Sequence, residues 1–222
     1  MKTKILIMLV DYINSNFTIN WMAYTIAFAL LILLLAYLKF EENLLNTKML
    51  ALLGVIVAIT IVFRQILHGA GEVSAVFAMF LLSGYIFGFI YGFIVASSTM
   101  FLSNFLLGQG PWTIYQMVAA GIVGGGAALL PKTKNQHLNL LILSVYSFPA
   151  AFIYGWLTNL WFWSAFVHPK NVNTFLLLAG ASFFGDLARA LSTVFFLLIL
   201  GPAFLRILKR YKKRFEVRYE KS

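Results

Sequence analysis

SNFLLGQGPWTIYQMVAAGIVGGGAALLP, residues 103–131, decides how the rest of this chain is read. An apolar run stops at Gly108-Gln109-Gly110-Pro111, and a second apolar run starts at once with Trp112. Glycine and proline end a helix, and proline is well tolerated at the start of the next. The stretch therefore reads as two apolar helices joined by a tight polar turn, with no strand alternation on either side.

The pattern continues outward in both directions. Of the 222 residues, 61% are hydrophobic and 11% charged, and the mean hydropathy is +0.87. That is too little charge to cover a water-soluble domain, so lipid is the expected solvent. The fold class expected is an all-α polytopic membrane protein. Seven apolar segments are expected, at 19–38, 48–67, 73–88, 88–107, 112–130, 138–162 and 174–205. The 35-residue run across the third and fourth exceeds one ordinary span, and the expected break is near Ser83-Gly84 or Phe87-Gly88. Three regions follow: an N-terminal segment with an added apolar helix (1–45), a membrane-embedded core (46–205) and a basic tail (206–222).

Lysine and arginine orient the spans. The segment Arg206–Ser222 holds eight basic residues, PKTKNQH two and KFEENLLNTK two. With seven spans these twelve share one side, against Lys2, Lys4, Arg64 and Lys170 on the other. The positive-inside rule places the C-terminus in the cytoplasm of a multi-pass protein of the bacterial cytoplasmic membrane. The opening MKTKILIMLVDYINS has a short apolar core and no small-residue cleavage site, so the spans themselves are expected to direct insertion. The net charge of +10 belongs to a basic run directly after a membrane helix, which suits anionic headgroups rather than nucleic acid.

No cysteine is present, which excludes disulfides, thiolate metal sites and a cysteine nucleophile. Phosphate-loop, HExxH and GxSxG motifs are missing as well. His68 and His168 stand alone and read as loop histidines, so no metal site is expected.

Polar residues gather at the ends assigned to the outside. Arg64, Gln65 and His68 close the second segment, Asn104 the fourth, and Gln109, Trp112, Tyr115 and Gln116 open the fifth. Asn159, Trp161 and Trp163 end the sixth, while Asp186 and Arg189 lie three apart within the last. Each has a plain structural reading: tryptophans as an interfacial belt, Arg64 snorkelling to headgroups, Asp186 and Arg189 as an ion pair between helices. Together they suggest an outward-opening pocket with aromatic walls and a few convergent polar groups. A small membrane enzyme using Asp186 and Arg189, or a purely structural subunit, are the alternatives from other classes.

Small residues recur every four positions at Gly84, Gly88, Gly92 and Ala96, again at Ala120, Gly124 and Ala128, and at Gly54 and Ala58. Such stripes let helix backbones approach closely, within the chain or against a partner.

The stretch from Gly84 to Pro131, with ALLGVIVAITIVFRQ before it and NLWFW, GDLARA and a basic tail after it, resembles the substrate-binding S components of energy-coupling-factor (ECF) vitamin transporters. The resemblance spans roughly residues 46–212, and Gly108 to Thr113 with Gln116 and Met117 match the GQGPWT signature of the cobalamin-type group. Ile114 and Tyr115 stand where that signature has proline and tryptophan, and Asn159 and Arg189 where aspartate and histidine are expected.

The resemblance implies a six-helix core that captures a vitamin, cobalamin or a related corrinoid first among them, and delivers it inward. A different vitamin or a nucleobase-like precursor is the alternative. It also implies partners: a transmembrane coupling subunit, contacted through Ala51, Gly54 and Ala58, and two cytoplasmic ATPases that hold ATP and magnesium. This chain would itself bind no cofactor and catalyse no reaction.

Overall fold

The computed structural model describes residues 22–41, 47–71, 73 and 75–216; the lysines at positions 2 and 4 and the expected domain boundary at 45/46 lie outside them. Among the described residues there are helices and turns and no strand. The helices are α1 (Met22–Glu41), α2 (Thr47–Ile66), α3 (Val76–Phe87), α4 (Phe89–Leu107), α5 (Trp112–Gly126), α6 (Gln136–Phe166), α7 (Val172–Ala181), α8 (Phe183–Ile199) and α9 (Gly201–Glu216). Five are long and apolar enough to cross a membrane, and the α7–α8 pair, bent by 50°, makes a sixth if counted as one span.

The 35-residue run divides at Gly88, whose φ of +105 belongs to a backbone region that favours glycine. The break leaves α3 only 12 residues long, or about 18 Å at 1.5 Å per residue. Every residue of α3 from Val76 to Ile86 is buried, which explains why it is apolar all round. Glycines set its distance from α4 and α5. A Cβ at Gly84 would fall on the carbonyl oxygen of Gly124, and one at Gly92 on the Cα of Gly84. The stripe expected along one helix is thus shared by two helices folded back on each other, with α5 completing the contact.

The last apolar segment is not the continuous 174–205 helix expected from its composition. It breaks at Ser182, where Gly180 and Gly185 flank the bend, and again at Leu200, with Pro202, lacking an N–H, in the first turn of α9. Asp186 consequently sits in the first turn of α8 rather than mid-helix. The expected tail from 206 is, up to Glu216, part of an amphipathic helix. Its Leu205 and Leu208 are buried, and Lys212 Nζ donates to the carbonyl of Ile86 at 2.9 Å, where α3 ends with unpaired carbonyls. Burial and the neighbouring charge of Lys212 lower the pKa of Lys132, which lies in the connection before α6.

The added helix α1 rests on α4 and α5. Tyr37 Oη lies 3.0 Å from Ser98 Oγ, and Thr25 Oγ1 lies 2.6 Å from Tyr115 Oη. On α2, Leu53, Ile56, Val57 and Thr60 face inward, while Ala51, Gly54 and Ala58 are exposed and nothing lies within 4 Å of a Cβ built on Gly54.

Candidate functional site

A cavity of about 400 Å³ opens at the end of the bundle that carries the 108–111 and 167–171 connections. It lies above the N-terminus of the short helix α3, and walls come from α2, α3, α4, α5, α6 and α8. One part of the lining is polar and another pairs aromatic rings with a cation.

The polar side is built around Asn104, which is 2% exposed at the end of α4. Arg64, from the last turn of α2, donates through Nη1 to Ser103 Oγ and, at 2.8 Å, to Asn104 Oδ1. Asn104 Nδ2 donates to Thr113 Oγ1 and to Gln116 Oε1, each at 2.8 Å. Thr113 Oγ1 in turn donates to Gln109 Oε1 at 2.9 Å, and Gln109 Nε2 holds the carbonyl of Phe101. The Gly-Gln-Gly-Pro turn is thereby tied to Arg64 and Gln116, both of which line the cavity.

The aromatic side consists of Phe77 and Tyr154, edge to face with centroids 4.8 Å apart. The guanidinium of Arg189 lies 4.9 Å from the Tyr154 ring and 5.6 Å from the Phe77 ring, within cation–π range. Asp186 holds Arg189 in place at 2.6 Å, and both side chains are less than a tenth exposed. Gly155 provides the room, since a Cβ there would strike the Asp186 carboxylate. Asn159 Nδ2 donates to Ser182 Oγ at 2.9 Å, and that hydroxyl lies 3.4 Å from Asp186 Oδ2, so the bend between α7 and α8 is fastened to the same group.

Of the residues expected from sequence, Arg64, His68, Gln116 and Arg189 line the cavity, and Asn104 and Asp186 stand directly behind them. Trp112 and Trp161 meet at 5.4 Å, each about one helical turn beyond a lining residue, Gln116 and Thr158 respectively. Gln109 is exposed and serves the turn. Tyr115 points to α1 rather than into the cavity. Gln65 lies off the cavity, its Nε2 buried without a hydrogen-bond partner among the described residues. Phe77, Met100 and Tyr154 also line the space and were not singled out by sequence, because apolar and aromatic residues in a greasy chain carry no local mark, and neither was Thr158, whose hydroxyl bonds back to its own helix. In the 167–171 connection Lys170 stacks over Trp163 at 5.3 Å, and burial lowers its pKa.

A helical bundle with spans of membrane length defines a polytopic all-α membrane protein, and its cavity offers N–H donors and π faces. The chain belongs to the ECF-type riboflavin transporter S component family, whose model matches residues 44–210. The match starts at residue 44, beyond the end of α1 at Glu41. No curated protein and no solved structure matches the chain.

Proposed function

We propose that this S component captures riboflavin, or a flavin of similar size, in the cavity between Arg64, Gln116, Phe77 and Arg189. The observation that carries the reading is the cavity itself: about 400 Å³, in the lower part of the range for small-molecule sites, with aromatic rings and N–H donors together in its lining. A flat tricyclic ring with carbonyl and ring-nitrogen acceptors matches both walls. Membership of the ECF-type riboflavin transporter S component family favours the same vitamin.

The GQGPWT residues favour a second reading, a corrinoid, which is several times larger and would have to rest largely outside the present cavity. Titration of the purified protein separates the two. Quenching of flavin fluorescence at stoichiometric protein, with no saturable cobalamin binding, is the expected result. Saturable cobalamin binding without flavin binding would overturn it.

Delivery requires partners in this reading. The exposed Ala51, Gly54 and Ala58 face of α2 would meet the transmembrane coupling subunit, while two ATPases bind ATP and magnesium. The cavity faces the outside and α9 the cytoplasm, in accordance with the distribution of basic residues. The enzyme alternative loses ground because Asp186 is committed to Arg189 and lies behind the cavity wall.

A further inference from the structure

We infer that Asn104 fixes the polarity of the cavity's polar wall, so that the wall presents only hydrogen-bond donors and selects a ligand edge carrying two adjacent acceptors. The inference rests on the flavin reading above and adds which edge of the ring is held.

The orientation of each amide follows from one residue that cannot accept. Arginine has five N–H groups and no acceptor, so the atom of Asn104 that faces Arg64 must be its oxygen. Asn104 Nδ2 then faces Thr113 and Gln116. Thr113 spends its single hydroxyl hydrogen on Gln109 Oε1, so it receives from Asn104, and the two ends of the chain agree. Gln116 meets Asn104 Nδ2 with its oxygen, which leaves Gln116 Nε2 as the end that meets no acceptor among the described residues. Arg64 offers its remaining N–H groups beside it, because Ser103 and Asn104 engage only Nη1. Both groups line the cavity, so the wall offers donors side by side.

Flavin has two contiguous acceptor pairs, N1 with the C2 carbonyl and N5 with the C4 carbonyl, separated by the N3–H donor. A donor wall accepts either pair and rejects the N3–H. Asn104 is therefore a positioning residue that sets specificity without touching the ligand.

The test compares riboflavin with 1-deazariboflavin and 5-deazariboflavin, in which N1 or N5 becomes C–H, on the intact protein. One of the two analogues should bind about tenfold more weakly than riboflavin, because a buried donor loses its acceptor. In Asn104→Asp the carboxylate accepts from Arg64 and draws the Gln116 amide round to donate to it. Riboflavin should then bind more weakly and the discrimination against the deaza analogue should disappear. Gln116→Glu, which keeps the shape of the side chain, should do the same. If riboflavin binds and neither analogue is discriminated in the wild-type protein, the donor wall is wrong although the flavin reading stands. If riboflavin does not bind at all, the flavin reading fails and takes this inference with it.

Discussion

Gly155 and Asp186 show how one missing side chain places a charge. The carboxylate occupies the space of a Cβ on α6 and from there holds Arg189 against Phe77 and Tyr154. Gly155→Ala should therefore push Asp186 out and leave a buried arginine without its counter-charge. Breaking such a pair costs about 3 kcal/mol. A lower unfolding midpoint in detergent, together with weaker riboflavin binding, is the expected outcome; unchanged values for both would remove this role from the pair. Arg64 makes a different point. Its neighbours Ser103 and Asn104 are neutral, and the planar fork rather than the charge alone organises them. Arg64→Lys should weaken riboflavin binding about tenfold while leaving the unfolding midpoint near that of the wild type, since one ammonium cannot hold Asn104 and reach the ligand together. Equal affinity in a titration would count against it. Sequence marked both arginines as charged residues in apolar segments, but nothing in it marked Phe77 or Tyr154, which become a site only when α3 and α6 meet.

At the scale of the element, the same four-residue spacing of small side chains has two fates. Gly84 has backbone against it, and Gly84→Ala would force α3 from α5, an overpacking that costs about 1–3 kcal/mol. Gly54 has open space, so Gly54→Ala should change stability by less than about 0.5 kcal/mol. Thermal unfolding of the two variants side by side checks the contrast. Gly54→Leu should in turn reduce co-purification with a coupling subunit while leaving riboflavin binding unchanged. The spacing was legible in the sequence, but its use was not, because each stripe's meaning depends on what packs opposite it. Likewise the break at Gly88 could be anticipated from a run too long for one span. The bend at Ser182 was not anticipated although Gly180 and Gly185 flank it, since small residues also suit an unbroken membrane helix and the bend is fastened from another helix through Asn159.

The molecule as a whole is a core with one helix added to its flank. Tyr115 illustrates the limit of reading a motif by itself: the signature places it beside the pocket, yet it turns to Thr25 because α1 lies there. Removing residues 1–45 should consequently leave riboflavin affinity within about twofold, because the cavity walls are elsewhere. A titration of the truncated chain measures this, and a large loss would place α1 in the site. The centre of the core carries a mechanical consequence. Where Gly84, Gly92 and Gly124 meet, backbone touches backbone with no layer of side chains between them. Side chains can change rotamer and let helices slide, whereas peptide planes in contact have almost no compliance. The three helices α3, α4 and α5 should then move together as one stiff block, so that any sliding between helices falls at the contacts of this block with the rest of the bundle.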